Sequence, residues 1–381
     1  MNFYDNIDHI AAMYELLQDD LSRNIFWARL QFDLTPTMSG AIQLLQWSEG
    51  YTEDEVIALK TWKETFRKLH DAQKQIFLYG AGSLGRLAAD LILKEGEDFF
   101  AFCDRRASEL AGTPDVLGRP VYPPNYLFEN ANQCYVIIAT TDYYTEIEQF
   151  LLQNAFPQDH ILPLHFERYI DCSSAMHGKQ YFAFPDLYRK GTAFVDAGCF
   201  DGETSIQFAE WCGNQYEGIL AFEPDSRNFR ICKERMEKAG LRHFDVIQAV
   251  LSAGRGAVRF VGGLDEVSYI PDASRQGSML VEHARGTGSM ELIQAVKLDD
   301  YTEGLTVGFI KMDIEGAEME ALQGARDTIR RDKPLMALSA YHRRGDVLAI
   351  MSYLHQIVPE YRFWIRHYGP LAYDSVLYAG V

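Results

Sequence analysis

Hydrophobic and polar positions along the chain change their spacing near residue 75. Before that point apolar residues recur at helical intervals, as at Met13, Leu17 and Val56, which predicts helices. Thr52 followed by Glu55 fits a capping box at the start of one of them. Beyond that point short apolar runs alternate with helical patterns, which predicts an α/β fold with parallel sheets. We expect a helical segment at residues 1–75 and two α/β domains at 76–170 and 178–381.

The first α/β domain has the pattern of a Rossmann-like, nucleotide-binding domain. Strands are predicted at Gln75–Tyr79, Phe99–Cys103 and Tyr135–Ala139. The first strand runs into a glycine-rich loop, and an acidic residue ends the second strand, as in a dinucleotide fingerprint: Gly80, Gly82, Gly85 and Asp104. No tyrosine is followed four residues later by lysine, so the catalytic pair of one class of dehydrogenases is missing. A bound nucleotide or nucleotide-sugar at Gly80–Gly85 and a plain scaffold remain equal alternatives, because fold does not fix function. For a nucleotide with a 2′-phosphate, Arg105 and Arg106 are the candidate partners.

The second α/β domain repeats this pattern with more strands. The predicted strands are Ala193–Asp196, Ile219–Glu223, Asp245–Ala249, Val307–Asp313, Leu335–Tyr341, Tyr361–Tyr368 and Ser375–Ala379. Only a short loop with Gly369 and Pro370 joins the last two, which predicts an antiparallel hairpin. A parallel sheet finished by such a hairpin is the architecture of class I methyltransferases. The stretch Cys172–Gly178 is predicted to link the two domains.

A glycine loop follows the first strand of this second domain and predicts a cofactor site. Gly198 and Gly202 allow the backbone to approach a ligand closely. Asp196 and Asp201 would repel a diphosphate and suit a cationic ligand. S-adenosyl-L-methionine, which carries an ammonium and a sulfonium, is such a ligand.

The ends of the later strands complete the predicted cofactor site. Glu223, with Pro224 and Asp225 after it, stands where an acidic side chain accepts both ribose hydroxyls. The remaining members of the set are Gln248 and Ala249 beside the adenine and Asp313 after the fourth strand. Ligands of open α/β sheets bind at these carboxyl ends, so the ordered set is a stronger signal than any one member.

Three stretches of this domain resemble the signature of FkbM-type methyltransferases: Val195–Thr204, Ala221–Asp225 and Ile310–Glu318. Ser339–His342, Ile365–Tyr368, Val376–Ala379 and Gln180–Phe182 are similar as well, so that the resemblance covers about residues 178 to 381. It implies a seven-stranded class I fold and O-methylation, dependent on S-adenosylmethionine, of sugar, glycan or natural-product hydroxyls. The glycine-rich stretches Gly262–Gly263 and Arg285–Gly288 depart from the family pattern and leave the acceptor open.

A hydroxyl acceptor needs a group that takes its proton as it attacks. His342 follows the fifth strand and has an ordinary pKa near neutrality, so it is the first candidate base. Asp313 or Glu315 could serve instead or could orient His342. His367 is a weaker candidate because it lies within a predicted strand. Glu315, Glu318 and His342 could also gather a divalent ion, but their spacing does not require one, and no metal is predicted.

Composition narrows the remaining classes of function. The 381 residues carry a formal net charge of −18 and no cluster of Lys and Arg, which argues against a nucleic-acid substrate. No apolar run is long enough for a membrane span, and the N-terminus lacks a signal-peptide pattern. The scattered cysteines predict free thiols and a cytoplasmic protein. The sequence is compatible with a homo-oligomer. The competing hypothesis is an NAD(P)-dependent oxidoreductase or a scaffold that uses the first glycine loop.

Overall fold

The computed structural model describes most of the chain. The described residues are 3–48, 51–110, 117–140, 143–162, 179–262, 289–369, 372 and 374–381. The predicted linker Cys172–Gly178, the stretch Arg285–Gly288, Gly263 and Pro370 lie outside them.

The N-terminal segment forms helices, as its apolar spacing predicts. They are α1 (Phe3–Glu15), α2 (Asp20–Leu34), α3 (Met38–Leu45), α4 (Glu53–Lys60) and α5 (Trp62–Asp71). The capping box predicted at Thr52 and Glu55 is present, with each residue bonding the backbone N–H of the other. Asp19 caps α2 in a related way by accepting from the N–H of Ser22.

These helices pack against two different sheets. Met13, Leu17, Ile25 and Phe26, from α1, α2 and the turn between them, lie in the hydrophobic core of the C-terminal sheet. The later helices contribute Met38, Val56 and Trp62, among others, to the core of the N-terminal sheet. Residues 1–75 therefore do not pack as a single layer, because their apolar faces are buried by partners at opposite ends of the chain.

The first α/β segment forms a four-stranded parallel sheet of order β3-β2-β1-β4. Its elements are β1 (Gln75–Tyr79), α6 (Ser83–Lys94), β2 (Ala101–Cys103), α7 (Ala107–Leu110), β3 (Val121–Tyr122), α8 (Asn125–Glu129), β4 (Cys134–Ile138) and α9 (Tyr144–Gln153). Three of the strands were expected. The fourth strand, β3, was not predicted, because two residues are too few to show an alternation.

The C-terminal segment contains the seven predicted strands in one sheet and a smaller sheet beside it. Its elements are β5 (Ala193–Ala197), α10 (Glu203–Trp211), β6 (Ile219–Phe222), α11 (Ser226–Lys238), β7 (Phe244–Ile247), β8 (Val250–Leu251), β9 (Gly256–Gly262), β10 (Ser289–Val296), β11 (Val307–Met312), α12 (Glu318–Gly324), α13 (Arg326–Asp332), β12 (Leu335–Ser339), α14 (Asp346–Ile357), β13 (Arg362–His367) and β14 (Ser375–Gly380).

The large sheet has the order β13-β14-β12-β11-β5-β6-β7. β14 runs antiparallel to both of its neighbours, and the other pairs are parallel. This confirms the predicted fold class, a class I sheet with an antiparallel C-terminal hairpin. The parallel strands all end at one edge, which is where ligands of such sheets bind.

The smaller sheet, of order β8-β10-β9, was not predicted. β9 and β10 form an antiparallel pair, and Met290 and Leu292 on β10 are exposed. Because these apolar side chains face solvent, the pattern of β10 does not indicate a buried face. No helix among the described residues is long and apolar enough to cross a membrane.

The packing of α2 on the C-terminal sheet leads to a stability prediction. Phe26 is fully buried in that core, whereas Leu34 at the end of the same helix is 82% exposed. Phe26→Ala should lower the free energy of unfolding by about 3–5 kcal/mol, because it leaves a cavity beneath the sheet. Leu34→Ala is the control and should change it by less than about 0.5 kcal/mol. Urea unfolding measures both, and equal effects would contradict the packing described.

Candidate active site

The glycine loop joins β5 to α10 and lies directly on the end of β11. Gly198 has φ +76°, and a Cβ placed there would come within 1.8 Å of the carbonyl oxygen of Asp313. Gly202, with φ +86°, precedes α10, and its Cβ would meet the carbonyl oxygen of Cys232 at 3.2 Å. Both positions therefore need glycine for backbone conformation and close approach.

The sequence suggested that Asp196 faces a ligand, but its side chain points into the protein. Its side chain is fully buried beneath the loop, where Ser205 Oγ donates a hydrogen bond to Oδ2 at 2.8 Å. Lys311 Nζ lies 3.1 Å from Oδ1 and also donates to the carbonyl oxygen of Gly198 at 2.6 Å. The prediction of a free carboxylate is wrong here, because the charge is already compensated and serves to hold the loop.

Asp201 is also paired within the chain. Arg235 of α11 forms ion pairs with both Asp201 and Glu203. Asp201 Oδ1 further accepts from the N–H of Glu203 at 3.1 Å, at the start of α10. The two loop carboxylates therefore do not by themselves distinguish a cationic ligand from a dinucleotide, which corrects the charge argument made from the sequence.

Glu223 lies at the end of β6, beside the loop. Its carboxylate accepts from the N–H groups of Phe200 at 3.0 Å and Asp225 at 2.9 Å. Burial raises the pKa of Glu223 to about 7. Asp225 is itself committed to the N-cap of α11, where it accepts from Arg227 and Asn228. Glu223 is thus the acidic group of this turn that is available for a ligand at the strand end.

Gln248 and Ala249, predicted to line the adenine, differ in their surroundings. The Gln248 side chain is exposed and donates to Ser226 Oγ at 2.8 Å and to the carbonyl of Pro224 at 3.4 Å. Ala249 is buried within the hydrophobic core. Of the two, Gln248 has a side chain that could contact a ligand beside the Glu223 turn.

His342 lies at the centre of a group of carboxylates, as its position after β12 had suggested. Its Nδ1 is 2.9 Å from Oε1 of Glu318, and its Nε2 is 3.4 Å from Oδ1 of Asp313 and 3.6 Å from Oε2 of Glu315. The imidazole is buried, and Asp313 also accepts from the Tyr181 hydroxyl at 2.7 Å. The structure brings together all three predicted catalytic residues.

This environment changes the pKa values of the cluster. Burial disfavours the charged imidazole of His342, but Glu318, Glu315 and Asp313 outweigh it and raise its pKa to about 10. Burial raises the pKa of Glu315 to about 8. For Asp313, burial is opposed by His342 and Lys311, which keep its pKa below the ordinary value. The ordinary pKa near neutrality, which made His342 the first candidate base, is therefore not kept in the folded protein, because three carboxylates surround the ring.

Two further acidic residues near this cluster were not found from the sequence. Burial raises the pKa of Asp346 to about 7 and that of Asp374 to about 6. Asp346 is the first residue of α14, four positions after His342, whereas Asp374 lies before β14 and is brought to the cluster only by the fold. His367, the weaker candidate base, is buried within β13 and lies 2.9 Å from Ser375 Oγ across the hairpin. Its contact is structural.

The cluster contains atoms that could ligate a metal. Asp313, Glu318 and His342 each offer one such atom, all within 4.8 Å of one another. Glu318, however, contacts Nδ1 and Asp313 faces Nε2, so the two carboxylates lie at opposite ends of the ring. The absence of a metal stays a prediction.

The N-terminal glycine loop is explained by packing at two of its glycines. A Cβ at Gly85 would come within 2.0 Å of the carbonyl oxygen of Gly80, whereas one at Gly82 would meet no atom within 4 Å. Asp104 accepts from the N–H of Ala81 at 3.0 Å and from that of Arg106 at 2.8 Å, so both of its oxygens already hold the loop. Arg105 pairs with Glu146.

Together, the sheet order, the glycine loop on β5 and the acidic strand ends define an α/β protein of the methyltransferase class. Comparison of the sequence with protein families agrees, since residues 196–369 match the methyltransferase FkbM domain. Residues 196–369 are therefore assigned to the FkbM methyltransferase domain, which is less than half of the chain. No curated protein matches the sequence.

Several solved structures are similar to the chain at low identity. Methyltransferase FkbM from Methylobacillus flagellatus KT is 18% identical with a TM-score of 0.46, over 86% of this chain and 98% of that one. An rRNA methylase from Streptococcus thermophilus is 12% identical with a TM-score of 0.32, over 54% and 93% of the two chains. Aeropyrum pernix fibrillarin, with natively bound S-adenosyl-L-methionine, is 12% identical with a TM-score of 0.31, over 51% and 67%.

Gly198 offers a direct test of the loop geometry. Gly198→Ala should disrupt the loop, because the new Cβ would overlap the Asp313 carbonyl and the positive φ would be strained. Gly254→Ala is the matched control, since its Cβ would meet no atom within 4 Å. We expect the thermal midpoint to fall by several degrees for Gly198→Ala alone, measured by circular dichroism. Equal midpoints for the two variants would contradict the close approach.

The raised pKa of His342 predicts how stability depends on pH. Folding raises this pKa from 6.5 to about 10, so the stabilisation is complete below pH 6.5 and is lost as pH rises towards 10. Between pH 8 and 10, above the pKa of Glu315, the His342 contribution should dominate the difference between wild type and His342→Gln. The variant should show a flatter loss of stability in urea unfolding over this range. Parallel stability profiles of wild type and His342→Gln over this pH range would contradict a charged His342 held among the carboxylates.

Proposed function

We propose that the protein transfers a methyl group from S-adenosyl-L-methionine to a hydroxyl of a sugar, glycan or natural product. The observation that carries the proposal is the group of carboxylates around His342, here called the cage, which consists of Asp313, Glu315 and Glu318. The cage lies at the same sheet edge as Glu223 and the glycine loop after β5. In this proposal the cofactor site and the proton-handling residues are neighbours, because Gly198 of the loop contacts the backbone of Asp313. Within the methyltransferase class, the cofactor and the hydroxyl acceptor are the parts that we propose here.

The residues around the β5 loop fit an adenosyl cofactor. S-adenosyl-L-methionine, when bound, supplies a methyl group activated by its sulfonium. Glu223 is held at the strand end by two backbone N–H groups, and each of its oxygens retains lone pairs for the ribose hydroxyls. Gly198 and Gly202 hold the loop against the end of β11 and against α11, and Gln248 offers an amide beside the Glu223 turn.

Glu315 is the best proton acceptor in the cage. Its pKa of about 8 lies close to neutrality, as an efficient general base requires, whereas His342 at about 10 keeps its own proton. In this proposal His342 acts as an imidazolium that orients Glu315 and balances the charge of its ionised form. Asp313, whose pKa is low, orients the ring and is too weak a base to take a hydroxyl proton.

The backbone at Glu315 supports this role. Glu315 has φ +56°, an uncommon conformation for a residue other than glycine, and Gly316 follows with φ +91°. Glu318 holds the turn by accepting from the N–H of Ile314 at 3.1 Å and that of Gly316 at 3.4 Å. Such local strain is often retained where it positions a functional side chain.

Binding experiments test the cofactor assignment. Calorimetry should detect S-adenosylmethionine and S-adenosylhomocysteine binding to the wild type, and Glu223→Gln should weaken both by about tenfold through loss of charged hydrogen bonds. Glu217→Gln, on the loop before β6, is the control and should bind as the wild type does. If folded wild-type protein binds neither compound, the proposed function fails.

Transfer from labelled cofactor to a library of carbohydrates and natural products tests the acceptor class. In the presence of an active acceptor, Glu315→Gln should lower the rate by about 10²–10⁴-fold, the usual contribution of a general base. Its affinity for S-adenosylhomocysteine should stay near that of the wild type. Methylation of nitrogen acceptors alone would exclude the hydroxyl acceptor.

For the N-terminal sheet we propose a scaffold role over nucleotide or nucleotide-sugar binding. The support is that the close approach of Gly85 to the Gly80 carbonyl is explained by packing alone and that Arg105, the candidate partner of a 2′-phosphate, pairs with Glu146. Fluorescence titration with NADH and NADPH, and calorimetry with a nucleotide-sugar, should show no binding. Saturable binding that Gly82→Val abolishes would restore the oxidoreductase or nucleotide-binding alternative. Cytoplasmic localisation and oligomeric state stay predictions.

A further inference from the structure

The loop that carries His342 is held in place by a helix from the other end of the chain. Arg29 of α2 is fully buried, although an arginine without compensation is costly to bury. Its Nη2 donates to the carbonyl oxygen of Tyr341 at 3.2 Å, directly before His342. The two residues are 312 positions apart in the sequence. Tyr341 lies within the matched residues 196–369, and Arg29 lies outside them.

The remaining donors of Arg29 join the same structure. Nη1 donates to the carbonyl of Ala372 at 2.5 Å, in the loop before β14, and Nε donates to Oδ1 of Asp33 at 3.0 Å. Asp33 Oδ2 in turn accepts from the N–H of Gly345 at 2.8 Å. The backbone is therefore anchored on both sides of His342, at Tyr341 and at Gly345.

These anchors act on the residues that form the cage. The Tyr341 ring lies against that of His342, with centroids 4.1 Å apart and the planes tilted by 41°. Tyr341 also belongs to the hydrophobic core of the N-terminal sheet. Gly345, with φ +82°, is the N-cap of α14. The first residue of that helix, Asp346, accepts a hydrogen bond from the N–H of Arg343 at 2.7 Å. A shift of this short loop would move the imidazole away from Asp313, Glu315 and Glu318.

We infer that Arg29 and Asp33 are positioning residues of the active site, through which α2 sets the place of His342 against its carboxylates. The inference rests on the proposed function for its catalytic meaning, and on the contacts alone for its structural part. A planar guanidinium is suited to this task, because it donates to three acceptors in fixed directions, which lysine cannot do. The N-terminal helix is then a component of the methyltransferase site.

The test compares variants of the full chain that differ in which anchor they remove. Arg29→Lys keeps the charge beside Asp33 but not the fork, and Asp33→Asn keeps an acceptor for Gly345 while weakening its grip on Arg29. Asp19→Asn is the matched control. It breaks the 2.7 Å ion pair between Asp19 and Arg366, which also ties α2 to β13, but it leaves the helix cap and the His342 loop intact.

Hydrogen exchange and nuclear magnetic resonance are the measurements. In Arg29→Lys the amides of residues 342–345 should exchange at least about tenfold faster, while those of β11 and β12 stay protected. The ring Nδ1–H of His342, hydrogen-bonded to Glu318, should lose its protected signal. Asp33→Asn should show a smaller effect, and Asp19→Asn should retain wild-type exchange in this loop.

The outcomes separate this inference from the proposed function. Unchanged loop exchange and an unchanged His342 signal in Arg29→Lys would overturn the inference, as would equal changes in Asp19→Asn, because then α2 would act only through general stability. S-adenosylhomocysteine binding is measured on the same samples. Loss of loop protection in protein that binds no cofactor would leave the positioning contacts standing and would reject the proposed function.

Discussion

The buried imidazole of His342 and the carboxylates around it are the interaction on which the site depends. Glu318 holds one ring nitrogen at 2.9 Å, and Asp313 and Glu315 face the other at 3.4 and 3.6 Å. Buried charges of one sign are costly unless a counter-charge lies among them. The imidazolium is that counter-charge here, and it allows several acidic groups to remain together at one sheet edge.

A second buried pair governs the neighbouring loop in the same way. Asp196 and Lys311 compensate each other under the sheet edge, and Lys311 binds the carbonyl of Gly198. The loop can then lie on β11 at a distance that only glycine allows. In both the glycine loop after β5 and the cage around His342, buried charges are compensated by opposite charges of the same chain. Glu223 and Glu315, whose pKa values are raised to about 7 and about 8, are the acidic groups to which the proposed function gives roles.

The fold joins the two ends of the chain around this site. α2 contributes Phe26 to the core of the large sheet and Arg29 to the loop beside His342, while α3 to α5 belong to the N-terminal core. Tyr341, next to the catalytic candidate, packs in that N-terminal core. The connection between the N-terminal helices and the loop of His342 follows from packing and from the Arg29 hydrogen bonds.

The sequence by itself determined the seven strands of the large sheet, three of the four in the N-terminal sheet, the hairpin and the family resemblance, because apolar runs and glycine spacing are local properties of the chain. It also placed Asp313, Glu315 and His342 at successive strand ends, since parallel strands share a carboxyl edge. Only the tertiary structure decided that Asp196 is paired with Lys311, that Asp201 is paired with Arg235 and that three carboxylates surround His342 and raise its pKa. Pairing and pKa depend on which distant side chains lie within a few ångströms. That distance is set by how the sheets and helices pack, and no spacing along the chain records it.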